Sequence, residues 1–105
     1  MNKIAELNDK FRTTFQGGRL VTTATFASLP EATKAKVLET VRTFSTFTPD
    51  NDPYGEHDLA IFEVDGERFM FKIDYYDAAC VNGSEDPSDP SKTIRVMTVM
   101  LSEDY

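Results

Sequence analysis

The stretch Thr48 to Asp58, TPDNDPYGEHD, gathers groups that can do chemistry: four carboxylates, an asparagine, a tyrosine and the chain's only histidine, among two prolines and a glycine. Carboxylates beside a histidine can orient it as a general base or hold it protonated, and the same oxygens can coordinate a hard cation. The calcium reading fails on spacing. Asp50, Asp52 and Gly55 match the start of an EF-hand loop, but its fifth position would be Tyr54 and its twelfth, where a bidentate glutamate belongs, Ile61. Asp52-Pro53-Tyr54-Gly55 has aspartate, proline and glycine where a type I turn prefers them, so a turn accounts for those four residues.

What the turn leaves over is Glu56-His57-Asp58, leading into DLAIFEVDGERFMFKIDYYD. Those are two strand-like runs joined by Asp65-Gly66, the pair favoured by a two-residue type I′ hairpin. The register this turn sets places Val64 opposite Glu67, Phe62 opposite Phe69, Ala60 opposite Phe71 and Asp58 opposite Ile73. Phe62, Phe69, Phe71 and Ile73 then share a core face. Ile61, Glu63, Arg68, Met70, Lys72 and Asp74 share a half-polar, wetter one. The same register brings His57, Asp58, Asp74, Tyr75, Tyr76 and Asp77 to one rim with Asp50 and Asp52. Candidate binding residues are therefore Asp50, Asn51, Asp52, Tyr54, Glu56, His57, Asp58, Asp74, Tyr75, Tyr76 and Asp77. Glu85, Asp86 and Asp89 join them from the polar segment 78–91. Three readings stay open for this rim: a structural network ordering a long loop, a binding surface, or a catalytic site with His57 as base oriented by Asp58 or Asp74.

Other chemistries find little support. Gly17-Gly18 is followed by Arg19 and a strand, which makes it a helix stop and no phosphate loop. No GxSxG elbow occurs, and one histidine without a second histidine or a cysteine pair is no metal signature. No metal or cofactor is expected. Cys80, the one cysteine, has no partner for an internal disulfide and reads as a small apolar loop or core residue.

The elements that must position the rim follow from periodicity. Ile4, Leu7, Phe11 and Phe15 form a helical stripe over residues 3–15, with Asn2 as its cap. Residues 19–27, rich in β-branched side chains, read as a strand. Ser28 and Glu31 form a capping box before a helix over 30–44, whose inner face is Val37, Leu38, Val41 and Phe44. After the hairpin, residues 92–101 read as a last strand. The expectation is an α+β fold, order α-β-α-β-β-β, with two helices on one face of a small antiparallel sheet, in a single domain spanning 1–105.

Charge narrows the partners. The net charge of -7 divides into +3 over residues 1–47, with seven Lys/Arg and four Asp/Glu, and -10 over residues 48–105, with four and fourteen. The acidic half repels phosphate backbones and anionic membranes and favours a protein with a basic surface. The N-terminal residues hold no apolar run of signal or membrane-helix length, so a cytoplasmic protein is expected.

The motifs FTPDNDPYGEHD, FEVDGERFMFKIDYYD, GSEDPSDP and TIRVMTVMLSEDY resemble those of a family of small bacterial proteins described as a domain of unknown function, over Leu7 to Tyr105. The resemblance implies no activity. It implies occurrence on plasmids, phages and other mobile elements, hence an accessory or counter-defence role. The resulting expectation is a non-enzymatic binding module, an acidic inhibitor acting on a nucleic-acid-handling protein complex. The alternative is a small metal-dependent or acid/base enzyme working at the rim around His57.

Overall fold

The computed structural model describes residues 2–105. Helix α1, Lys3–Thr14, starts where Asn2 accepts a hydrogen bond from the Ala5 amide at 2.7 Å, as its cap position predicts. It ends in Phe15, which adopts left-handed φ (58°) and donates its amide to the Phe11 carbonyl. The stop is thus made before the glycines, which do two other jobs. Gly17 takes φ of 99°, and Gly18 lets two segments touch: a Cβ there would lie 2.6 Å from the Phe11 ring and 2.7 Å from the Arg95 carbonyl. Because one of those neighbours is backbone, Gly18→Ala is expected to cost about 1–3 kcal/mol, the range for overpacking a tight site. Thermal denaturation checks it; an unchanged midpoint would mean that the α1–β1 turn is looser than its contacts indicate.

Strand β1 is shorter than its composition suggests, Arg19–Thr22. Thr23 accepts the Phe26 amide and starts a one-turn helix, α2, Ala24–Ala27. The expected strand over 19–27 is corrected accordingly: a local cap outcompetes β propensity at its second half. That turn also takes Ser28, which becomes the C-cap of α2 and donates its hydroxyl to Thr25 O, so no capping box forms. Helix α3, Glu31–Thr43, begins after Pro30 with no side-chain cap. Its Val37 and Val41 are buried as predicted, with Leu38 and Phe44 packed at the margin of the core.

Strands β2 (Leu59–Val64) and β3 (Glu67–Tyr76) pair in the expected register, with Val64 opposite Glu67 and Ala60 opposite Phe71. Asp65 and Gly66 join them with positive φ, 52° and 83°. Strand β4 (Ile94–Leu101) lies antiparallel to β3, and β1 runs parallel to β4, giving the order β1-β4-β3-β2. Among the described residues the fold is α+β with a four-stranded mixed sheet and three α-helices, so the expected all-antiparallel sheet is corrected at β1 and the expected pair of helices at α2. Phe11, Phe26, Val37 and Val41 from the helices close one sheet face, Ala60, Phe69, Phe71, Ile73, Met97, Val99 and Leu101. The other face is not uniformly wet. Met70 and Met100, facing each other across β3 and β4, are both 2% exposed, and the 3-10 turn Ser102–Asp104 packs on β3.

Candidate functional site

The buried stripe of α1 is Ala5, Asn8, Phe11 and Arg12 rather than the apolar stripe of the periodicity. Two polar side chains therefore enter the interior, and the loop of interest closes over them. From Phe44 the chain turns back at Thr48, where Asn51 accepts the Thr48 amide at 2.8 Å and donates to Thr46 O at 2.9 Å. The Asp52–Gly55 turn forms as expected, with the Gly55 amide 3.1 Å from Asp52 O and Gly55 at φ 66°. Asn2 reaches from the start of α1 to Gly55 O at 2.9 Å.

Asp52 is almost fully buried, and its carboxylate accepts the amides of Glu56 (3.1 Å) and His57 (3.2 Å). These bonds support the left-handed φ of His57, 57°, a conformation costly for a non-glycine residue. The His57 ring stacks on Phe47 with centroids 4.1 Å apart. Its Nδ1 lies 3.0 Å from both carboxylate oxygens of Asp9, and its Nε2 lies 3.7 Å from Asp52 Oδ2. Asp9 in turn accepts from Arg12 Nη2 at 3.0 Å, while Arg12 Nη1 donates to Val41 O at 2.8 Å. The Arg12 guanidinium covers the rings of Phe47 and Phe71 at 5.3 and 5.6 Å. A continuous chain, Asp52–His57–Asp9–Arg12–Val41, thus ties the loop to α1 and to the end of α3.

A second network lies alongside. Asn8, fully buried, donates to Glu56 O (3.0 Å) and to the Tyr75 hydroxyl (2.8 Å) and accepts from Arg95 Nε at 2.8 Å. The Tyr75 hydroxyl donates to Glu56 Oε1 at 2.8 Å, and burial, reinforced by that bond, pushes its pKa far above the ordinary phenol value. Arg95 is 3% exposed, donates also to Pro87 O, and lies over the Tyr75 ring at 5.2 Å. Among the described residues no carboxylate stands within ion-pair distance of it. A desolvated cation–π contact contributes about 2 kcal/mol, less than the several kcal/mol that burying an ion costs.

The rim residues therefore separate. The structure brings Asp52, Glu56, His57 and Tyr75 into two networks. The carboxylate beside the His57 Nδ1 is Asp9, not Asp58 or Asp74. Asp74 pairs with Lys72, which raises the Lys72 pKa. Asp58 pairs through its backbone, accepting the Ile73 amide at 2.7 Å. Its carboxyl pKa is raised, chiefly by burial and then by the charges of Glu56, Asp52 and Asp74, while a bond to its own amide works the other way. In the folded state such a group disfavours its charged form, so stability falls as pH rises through its folded pKa. Asp58→Asn is expected to raise the melting temperature at pH 7, with the gain shrinking below about pH 4, where the carboxyl is protonated in both states. Melting curves across pH check this, and a lower midpoint at pH 7 would contradict it.

Asp77 accepts the Val81 amide at 3.1 Å, and Tyr76 bridges to Gly83. Asp86 and Asp89 accept from Ser88 and Ser91, and the Ser91 bonds hold the Asp89 pKa below its ordinary value. Glu85 lies 3.7 Å from Lys92 on the surface. Cys80 is half-buried at φ 56°. Among the described residues no three His, Cys, Asp or Glu side chains converge as metal ligands. As for catalysis, Asp9 on Nδ1 is an arrangement that would orient His57 as a base through Nε2, but Nε2 lies 3.7 Å from the Asp52 carboxylate, so both ring nitrogens face carboxylates of the network.

Asn8, Asp9, Arg12 and Arg95 are the residues that sequence reasoning missed. The first three lie off the apolar stripe Ile4, Leu7, Phe11 and Phe15 by which the helix was read, although Asn8 and Arg12, four residues apart, share one face with Ala5.

Two loop residues remain outward. Tyr54 is 83% exposed, Asp50 is exposed, and neither side chain makes an intramolecular hydrogen bond among the described residues. They flank or line a shallow basin of about 440 Å³ whose walls include Phe47, Pro49, Asp52, Tyr54 and His57. No helix among the described residues is long and apolar enough to cross a membrane. A family model described as "Protein of unknown function (DUF3768)" matches residues 22–104, from the end of β1 onward. No curated protein and no solved structure matches.

Proposed function

Because the chain belongs to this family of proteins of unknown function, whose description carries no activity, we propose from the geometry that it is a non-enzymatic binding module. Loop 48–58 is its recognition element and a protein with a basic surface its partner. The observation that carries this reading is Tyr54. A large aromatic standing 83% exposed at the tip of a loop fastened by two buried networks is the arrangement expected of an interface anchor. An anchored loop also loses little conformational freedom on binding. The basin beside it has aromatic and proline walls, and the exposed Asp50 follows Pro49 of its wall, which suits a lysine or arginine side chain from the partner. The acidic balance of residues 48–105 steers a basic partner and repels nucleic acid directly. A nucleic-acid-handling complex, whose phosphate-binding groove the acidic surface would occupy, is the partner class this charge favours, in a cytoplasmic, accessory or counter-defence setting.

The test is capture from host lysate with the full chain as bait, comparing wild type with the double variant Asp50→Lys/Tyr54→Ala. Both side chains are free of internal bonds, so the variant is expected to melt like wild type. The reading predicts a stoichiometric basic protein on wild type, displaced by salt and lost from the variant. Equal retention of that protein by the variant would overturn it.

A further inference from the structure

Arg12 and Arg95 are both buried arginines, at 4% and 3% exposure, and the contrast between them is informative. Arg12 has its carboxylate in Asp9. Arg95 has none, donating through Nε to Asn8 and through one Nη to Pro87 O. Its other Nη has no partner among the described residues, and it is not sealed off from solvent as the orphaned Arg12 Nε is. Arg95 lines a cleft of about 330 Å³ between α1, the Gln16-Gly17 turn and the segment entering β4. Lys10, exposed and without an ion pair among the described residues, stands on the same wall, and Leu7 and Pro90 supply apolar surface.

We propose that this cleft binds a small organic anion, a carboxylate or phosphate monoester on a short apolar body, with Arg95 and Lys10 as its cationic ligands. The anion supplies the countercharge that Arg95 lacks, and its apolar body lies along Leu7 and Pro90. A volume near 330 Å³ is at the lower end for small-molecule sites, which sets the size of that body. The chain's acidity does not forbid this. Residues 1–47 carry a balance of +3, and the loop carboxylates of Asp86 and Asp89 are hydrogen-bonded to Ser88 and Ser91. The site uses neither Asp50 nor Tyr54, so its fate is independent of the partner reading.

The experiment is an NMR titration of the full chain with hexanoate, phenyl phosphate and, as neutral control, hexanamide. Wild type is expected to show saturable shifts at the amides of Gly17, Thr93 and Arg95 with at least one anion and none with hexanamide. Hexanoate alone would assign a carboxylate ligand, phenyl phosphate alone a phosphate, and both the shared anion chemistry. Lys10→Glu, a surface change that leaves the fold intact, is expected to weaken binding about tenfold or more by reversing one of two ligand charges. No saturable shift with either anion, equal affinity in Lys10→Glu, or equal binding of hexanamide would each overturn the proposal.

Discussion

Arg12→Ala is expected to lower the unfolding free energy by about 3–5 kcal/mol, the combined cost of a stranded buried acceptor, a partly buried ion pair and two cation–π contacts. Three losses coincide in that one change. Asp9, with 27% of its side chain exposed, loses its cation, the Val41 carbonyl loses its donor, and the rings of Phe47 and Phe71 lose the plane that covers them. Against a total stability of about 5–15 kcal/mol for a domain this size, the loss should move the melting temperature by more than about 10 °C. Urea unfolding checks it, because a shift of midpoint at unchanged slope identifies lost stability rather than a changed unfolded state. A change under about 1 kcal/mol would mean that the pair is no stronger than an exposed one.

Asn8→Ala is the second large effect, about 3 kcal/mol. It leaves Arg95 Nε without its acceptor and Glu56 O and the Tyr75 hydroxyl without a donor. Each stranded buried group costs about 1–3 kcal/mol, and the sum is less than additive because Tyr75 still donates to Glu56. A double-mutant cycle with Tyr75→Phe isolates the shared part, expected at about 0.5–3 kcal/mol for groups in one network. Strict additivity would show that the two side chains act separately.

These networks mark the limit of what could be read from the sequence. The hairpin was legible because Asp65-Gly66 sets its register locally, and the alternation of Phe69, Phe71 and Ile73 then names the buried face. The rim was partly legible for the same reason, since the register carries Tyr75 to the end of the sheet where Glu56 enters. The carboxylate beside His57 was not. Asp9 is 48 residues away and lies on a helix whose apolar residues advertise another stripe. Hydropathy cannot show that a polar side chain is buried with partners, because the partners come from elsewhere in the chain. The parallel pairing of β1 with β4 escaped for a like reason: a four-residue strand carries no local sign of which edge it joins. Met70 was placed on the wetter face because its neighbours there, Arg68, Lys72 and Asp74, are polar, and nothing local shows that Met100 of β4 stands opposite it.

The chain Asp52–His57–Asp9–Arg12, as the device that holds loop 48–58 in one conformation, is tested most directly by amide hydrogen exchange at Glu56 and His57, whose N–H groups donate to Asp52. In wild type both amides are expected to be protected by about 10³ or more, as for sites that open only with a few kcal/mol of local unfolding. In folded Arg12→Ala that protection should collapse while the β3–β4 amides keep theirs. Unprotected Glu56 and His57 amides in wild type would contradict the account, because the loop would then be mobile and Tyr54 would stand on no fixed support.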